Sequence, residues 1–297
     1  MAHEERMTEY AISYGKAAVP VYRRAAAPLR VPTVDGSTFA GRDNALFAAN
    51  VTVEVLGDNF LPAYTEGDNS MVVATDSIKN LVLRETGSWT GATLESLLHH
   101  LGRLLLGEYE QMAAVRMSGE EIRFDPAGPR GTLHARVRAD ASTAGVDLGR
   151  AGGGVAIGDV LAGRRGIELL KPTGSAFTAF VRDGYTTLPE RRDRPLWVGL
   201  DVGWRYLDPA DALGAGPGRY VAGEQVRDVC AAVFEDLVSE SIQHLVHAMG
   251  ARLLDLMPGL SEVTFEAANL TRDPAVDGVD TDPFPAHGTI ALTMRRE

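Results

Sequence analysis

The chain has 297 residues, 45% of them hydrophobic and 23% charged, proportions that suit a globular protein of one large domain or two of about 150 residues. Its net charge of -11 repels nucleic acid, and no basic stripe interleaved with aromatics offsets it, which argues against DNA or RNA binding. No apolar run approaches the roughly 18 residues that span a bilayer, and the single cysteine, Cys230, can form no intramolecular disulfide and lacks the partners of a zinc site.

Residues 1–10 carry Glu4, Glu5, Arg6 and Glu9 with no apolar segment behind them, so no secretory signal is expected and the cytoplasm is the expected compartment. An acidic chain that binds an anion must concentrate arginine locally, which makes individual arginines worth locating. In chain order, Tyr14-Gly15-Lys16 opens a probable strand, and Pro20, lacking a ladder donor, predicts an edge or a bulge in it. Asn50-Val51-Thr52-Val53-Glu54-Val55 alternates as a half-buried strand does. Val72-Val73-Ala74 then leads into Thr75-Asp76-Ser77, residue types that favour helix N-termini, where free backbone N–H groups point outward. Over residues 90–112, Leu94, Leu97, Leu98, Leu101, Leu104 and Leu105 form an apolar stripe at helical spacing.

The string Thr132-Leu133-His134-Ala135-Arg136-Val137 is again strand-like. Glycines crowd residues 141–166, which reads as a domain junction, with a flexible loop expected at Gly152-Gly153-Gly154. Gly152-Gly153-Gly154 is no phosphate cradle, because no Gly-Lys-Ser/Thr follows it. Beyond it, residues 166–171, 176–182 and 197–206 are strand-like and 220–257 reads as helix. Strands at 262–268 and 288–295 follow, separated by a loop rich in turn residues. Strand pair, helix, strand pair, performed twice, predicts an α+β architecture of two units, 1–150 and 151–297, with helices on one face of antiparallel sheet. Open sheet edges are commonly managed by pairing with another subunit, so an oligomer is expected.

Taken singly, the polar strings have plain structural readings: Thr75-Asp76-Ser77 as a helix cap, Lys16 as an exposed lysine, the Arg191, Arg192, Arg194 run as a solvated face, and His99, His100 and His287 as packing or surface residues. Together and in order they resemble the urate oxidase (uricase) family. The strings that carry the resemblance are Tyr14-Gly15-Lys16, Gly67-Asp68-Asn69, Val73-Ala74-Thr75-Asp76-Ser77-Ile78-Lys79-Asn80 and Arg182-Asp183-Gly184-Tyr185-Thr186-Thr187-Leu188, with Asp193-Arg194 following. Ala40-Gly41-Arg42-Asp43-Asn44 is similar to the family's bacterial branch.

The resemblance implies two tandem tunnelling-fold domains per chain and a homotetrameric barrel with active sites between subunits. One chain would supply Lys16 and Thr75, and its neighbour Phe177, Arg194 and Gln243. It implies oxidation of urate by O2 to 5-hydroxyisourate and H2O2 without metal, flavin or other cofactor. In the implied site Arg194 and Gln243 grip a polar edge of urate, Phe177 stacks on its face, and the backbone N–H groups of Asp76 and Ile242 complete the perimeter. Thr75 relayed by Lys16 removes a proton, and Asn269 holds oxygen or water above the ring. The chain departs from the familiar pattern at Thr271, where many family members have a histidine in the proton relay; a hydroxyl passes a proton through water but does not titrate near neutral pH. The competing readings are a catalytically silent purine-binding relative and a pterin- or purine-acting enzyme of the same fold. The second generally relies on zinc, for which this sequence has no ligand cluster.

Overall fold

The computed structural model describes residues 9–214, 219–270, 272, 274–276 and 278–296. Eight strands form one sheet in which every neighbouring pair is antiparallel and spatial order follows chain order. They are β1 (Ser13–Arg24), β2 (Leu46–Leu56), β3 (Ala114–Glu121), β4 (Ala141–Ala151), β5 (Gly154–Phe177), β6 (Arg191–Tyr206), β7 (Leu260–Asn269) and β8 (Gly288–Arg295). Helices α1 (Leu61–Thr65), α2 (Thr75–Glu85) and α3 (Leu94–Glu108) lie between β2 and β3, and α4 (Gly223–Asp236) and α5 (Ile242–Leu256) between β6 and β7. The order strand pair, helices, strand pair therefore occurs twice.

Period-two alternation explains how the sheet is covered on one side. Val51, Val53 and Val55 of β2, Val115 and Met117 of β3, and Val198, Leu200, Val202 and Trp204 of β6 are buried against the helices. The opposite face carries ion pairs such as Arg116–Asp147 (2.9 Å) and Arg205–Asp159 (2.9 Å). Helix α2 packs on β1, α3 on β3 and β4, α4 on β5, and α5 on β7 and β8, so the helices share one face. Helix α3 buries Leu94, Leu97, Leu98, Leu101, Leu105 and Leu106, each contributing about 1.5–3 kcal/mol relative to exposure. It starts at a capping box in which Thr93 Oγ1 accepts from Ser96 N–H at 3.2 Å.

Several sequence expectations need correction. The glycine-rich stretch 141–166 is mostly strand: β4 and β5 form a hairpin, and the loop expected at Gly152-Gly153-Gly154 is its tight turn, with Gly152 and Gly153 at φ +55° and +82°. Alternation in 141–149 and 155–162 was hidden by glycines at sheet positions. The predicted helix 220–257 is two helices, broken at 237–241, where Ser241 caps α5 by accepting from His244 N–H at 3.1 Å. The strand predicted for 176–182 ends at Phe177, beyond which Ala179 takes φ +57°. Pro20 lies on an edge strand, and a register shift between Lys16 and Val19 adds a bulge, so both features foreseen for that proline occur.

Candidate active site

Three groups of polar residues form the candidate site. The first surrounds the start of β1. Gly15 lies so close to β2 that a Cβ there would stand 1.8 Å from the Val53 carbonyl oxygen, which is why only glycine fits between Tyr14 and Lys16. Directly after Lys16 the ladder breaks: Ala18 has φ +53° and its N–H donates to Thr52 Oγ1 at 3.0 Å. Bulges of this kind re-aim neighbouring side chains. The Tyr14 hydroxyl accepts from Val73 N–H at 3.1 Å and so ties β1 to the approach of α2. Lys16 is half-buried and its charge reaches Asp76, whose carboxyl is held below the usual range chiefly by the hydrogen bond from Lys79 and also by Lys16.

The N-terminus of α2 departs from the simple capping reading. Its cap residue is Ala74, and no side chain closes the turn. Ser77 and Ile78 N–H donate to the Ala74 carbonyl, leaving Thr75 and Asp76 N–H without a partner among the described residues. Thr75 is thus the first helical residue, half-buried, and its hydroxyl is not used as a cap. The Asp76 carboxylate accepts from Lys79 Nζ and from Asn80 Nδ2 at 3.0 Å.

The second group forms where β5 meets β6. Phe177 stacks on Phe180 with centroids 4.8 Å apart, and the Arg194 guanidinium carbon stands 5.4 Å from the Phe177 centroid. Arg194 is half-buried, its Nε is buried without a hydrogen-bond partner, and it makes no salt bridge among the described residues. Burial alone lowers its pKa. Arg42, Arg164 and Arg205 are each neutralised by carboxylates instead. A cavity of about 350 Å³ opens beside Arg194, with Arg191, Trp197, Asn269, Arg272 and Asp280 in its wall. Arg272 lies over the Trp197 ring and is 3.7 Å from Asp280. A guanidinium without a carboxylate, facing a cavity walled by both apolar and polar side chains, suits a planar anion, which it can grip with two parallel N–H donors.

The third group is the start of α5. Ile242 is buried and Gln243 exposed, and the N–H groups of both lack partners among the described residues. A bridge between Ser175 and Ser239, with Ala176 N–H donating to the Ser239 carbonyl at 2.7 Å, fastens this helix start to the end of β5.

The structure therefore brings Lys16 near Asp76 and Thr75, sets Phe177 beside Arg194, and puts Arg194 and Asn269 on one cavity. It does not unite the Lys16 group with the Arg194 group within a chain. β1 is one edge of the sheet and β6 lies five strand steps away, about 24 Å at the usual spacing. Thr271 lies outside the described residues. His287 is exposed, with Nδ1 2.9 Å from the Pro285 carbonyl, and His100 contacts Ser88 and the Glu85 carbonyl, so neither histidine joins the site. Cys230 is buried, with its thiol pushed up to about 12, and is inert. Trp197 and Arg272 were not foreseen, because only the β6–β7 pairing, with Leu270 N–H donating to the Trp197 carbonyl at 3.0 Å, brings them to the cavity.

Residues 160–277 match the family profile described as Uricase. The uricase of Haloferax volcanii is 46% identical over 282 residues, covering 91% of this chain and 92% of the relative. The chain belongs to the uricase family. The uric acid degradation bifunctional protein of Bacillus subtilis is 38% identical over 99% of this chain, which spans 63% of that longer protein. Among solved structures, a uricase from Bacillus fastidious superposes with TM-score 0.93 at 38% identity, covering 97% of this chain and 94% of that one. A urate oxidase from Bacillus sp. TB-90 gives 0.93 at 37% identity, covering 96% and 100%. The α+β arrangement of a large antiparallel sheet with five helices is thus the architecture of uricase-family structures.

Proposed function

We propose that this uricase-family chain oxidises urate with O2 to 5-hydroxyisourate and H2O2, in a site that two copies of the chain complete. The observation that carries the reading is Arg194: a half-buried guanidinium with no carboxylate, beside an aromatic ring and a cavity shared with Asn269. Leaving such a group unpaired is costly, and an anionic purine edge removes the cost. Gln243 and the Ile242 N–H at the start of α5 complete the polar rim, with Phe177 against the ring. Asn269 would hold oxygen or the attacking water.

The neighbouring copy would supply Lys16, Thr75 and the Asp76 N–H. A hydroxyl is a poor base, so Thr75 deprotonates the urate monoanion only by passing its proton to a neutral Lys16. Thr271 would extend that relay through water. The electron-rich dianion then reacts with O2, with no metal or organic cofactor. Support for closure between copies comes from the sheet, whose free edges are β1 and β8, with Asn269 on the strand next to β8. Pairing these edges in a homotetrameric barrel of tandem tunnelling-fold domains, 1–150 and 151–297, would remove both edges and join the half-sites.

The test is loss of urate absorbance in the near ultraviolet with oxygen uptake followed in parallel, chelator present. Stoichiometric oxygen consumption and peroxide formation are expected. An intact oligomer that binds urate without consuming oxygen would overturn the reading.

A further inference from the structure

Phe177 and Arg194 meet across an irregular stretch of the β5–β6 ladder. Lys171 pairs with Leu196 and Ser175 with Arg194. β5 therefore advances four residues (175 − 171) while β6 advances two (196 − 194), and the two extra residues bulge out around Pro172-Thr173-Gly174. Asp193 fills this bulge: its carboxylate accepts from Gly174 N–H at 2.7 Å and from Thr173 Oγ1 at 2.8 and 2.9 Å, interactions that hold its pKa below the usual range. Gly174 takes φ +81° there.

Lys171, at the root of the bulge, runs past Gly174, where an added Cβ would stand 3.1 Å from its Cε and 3.3 Å from its Nζ. Its ammonium donates to the carbonyls of Phe234, Glu235 and Leu237 at 3.0, 2.9 and 3.1 Å. These are carbonyls at the C-terminal end of α4, which the helix itself leaves unsatisfied and where a positive charge is favoured. All three ammonium donors are thereby used, and Nζ also lies 5.8 Å from the Phe234 ring centroid. The connector that follows reaches Ser239, bridged to Ser175, and then the start of α5.

We infer that Lys171 is a positioning residue for urate: by clamping the end of α4 to the root of the β5 bulge, it sets the start of α5, with Gln243 and the Ile242 N–H, at a fixed distance from Phe177 and Arg194. Asp193 and Thr173 hold the other side of the same bulge. The inference rests on the urate-oxidase reading for its ligand, and its argument is geometric. Arg194 and Gln243 come from different elements, and the shortest covalent route between them runs from Arg194 through all of α4. Packing of α4 on β5 and of α5 on β7 sets the frame, and the Lys171 contacts and the Ser175–Ser239 bridge tie the connector itself to β5. A purine edge held by two groups is sensitive to that separation, since displacements of about 1 Å can cost up to 100-fold in efficiency.

The experiment compares wild type with Lys171→Met and Lys171→Arg, measuring steady-state urate kinetics, xanthine binding by calorimetry, thermal unfolding and oligomer size. Lys171→Met is expected to raise KM for urate and Kd for xanthine about tenfold, with the larger part of the loss in KM. Lys171→Arg, which keeps the charge and the donors, should recover to within about threefold of wild type. A Lys171→Met protein with a lowered Tm but wild-type KM and xanthine affinity would show a purely structural clamp and overturn the inference. Should Lys171→Met not fold, Thr173→Val carries the test by removing hydrogen bonds from Asp193 at an exposed position. KM and xanthine affinity should then weaken about threefold, and unchanged values would overturn the inference. Xanthine binding is scored apart from turnover. A chain that binds xanthine but oxidises no urate therefore refutes the urate-oxidase reading, and the clamp is still decided by the xanthine affinities.

Discussion

The halves β1–β4 and β5–β8 share one order of elements and differ in the chemistry they present. In the first, a bulge on an edge strand aims Lys16 toward the uncapped start of α2, placing an amine, a hydroxyl and two free N–H groups together. In the second, a bulge within the β5–β6 ladder presents Arg194, beside Phe177, to a cavity with Asn269 in its wall. On the proposed reading the first half would supply proton transfer and the second the grip on urate. Both place a strand irregularity beside a helix start, so the same local device sets a different set of polar side chains in each half. Five strand steps separate the groups, so neither half is a site alone.

The largest test of this division removes the proton-transfer half. Lys16→Met and Thr75→Ala should each lower turnover about 10²–10⁴-fold with xanthine affinity kept near wild type. At urate well below KM, where Arg194→Ala sites contribute little, each inactive variant co-assembled with Arg194→Ala should recover about a quarter of wild-type activity, because half of randomly paired chains are mixed and each mixed pair holds one intact site. No recovery in verified mixed oligomers would refute sites shared between copies.

Next in size is the seam between the halves. Asp140 accepts from fully buried Arg164 at 2.5 Å and from Arg123 at 2.9 Å. Asp140→Ala leaves a buried arginine without its principal partner and should cost about 3–5 kcal/mol of unfolding free energy by urea titration. A loss below about 1 kcal/mol would mean that Glu224, 3.8 Å from Arg164, suffices.

Removing the grip should have a smaller effect. Arg194→Ala should lower kcat/KM about 10- to 100-fold, mainly through KM, as expected for one charge-assisted fork. A fall confined to kcat would move Arg194 out of ground-state binding.

The last effect, gradual per pH unit, is on stability against pH. Glu95 of α3 is buried, accepts from the Tyr220 hydroxyl of the second half at 3.2 Å, and has its pKa pushed up to about 8 from 4.5, mainly by burial. Between these values the folded chain holds a proton that the unfolded chain has lost. Stability therefore falls as pH rises from 4.5 to about 8, by at most about 1.4 kcal/mol per pH unit from this group. Glu95→Gln should flatten that decline in unfolding curves; an unchanged slope would show that Glu95 is ionised within the fold.

Much of the fold was legible because its signals are local. The leucines at helical spacing in 94–105 require an amphipathic helix, and the alternation in 50–55 and 288–295 requires strands with one dry face. The break at 237–241 was obscured by Leu237-Val238, which continue the apolar pattern of α4 up to the Ser241 cap, and the glycines of 141–166 hid the strands β4 and β5. In the candidate site, the Tyr14-Gly15-Lys16 and Thr75-Asp76 strings were visible as motifs, whereas Lys171, Trp197 and Arg272 carried no sequence signal.

The sequence by itself determined the duplicated α+β grammar, the family and the identities of the residues proposed for the site, since periodicity and motif spacing depend on near neighbours along the chain. Only the tertiary structure decided which of Arg42, Arg164 and Arg194 lacks a carboxylate among the described residues. Arg42, Arg164 and Arg194 are the same residue type, and carboxylates from distant segments neutralise the first two and leave the third facing a cavity. It also decided that Lys16 and Arg194 stand on separate parts of one sheet. Burial and charge pairing are sums over neighbours in space, and those neighbours exist only once the strands have found their register.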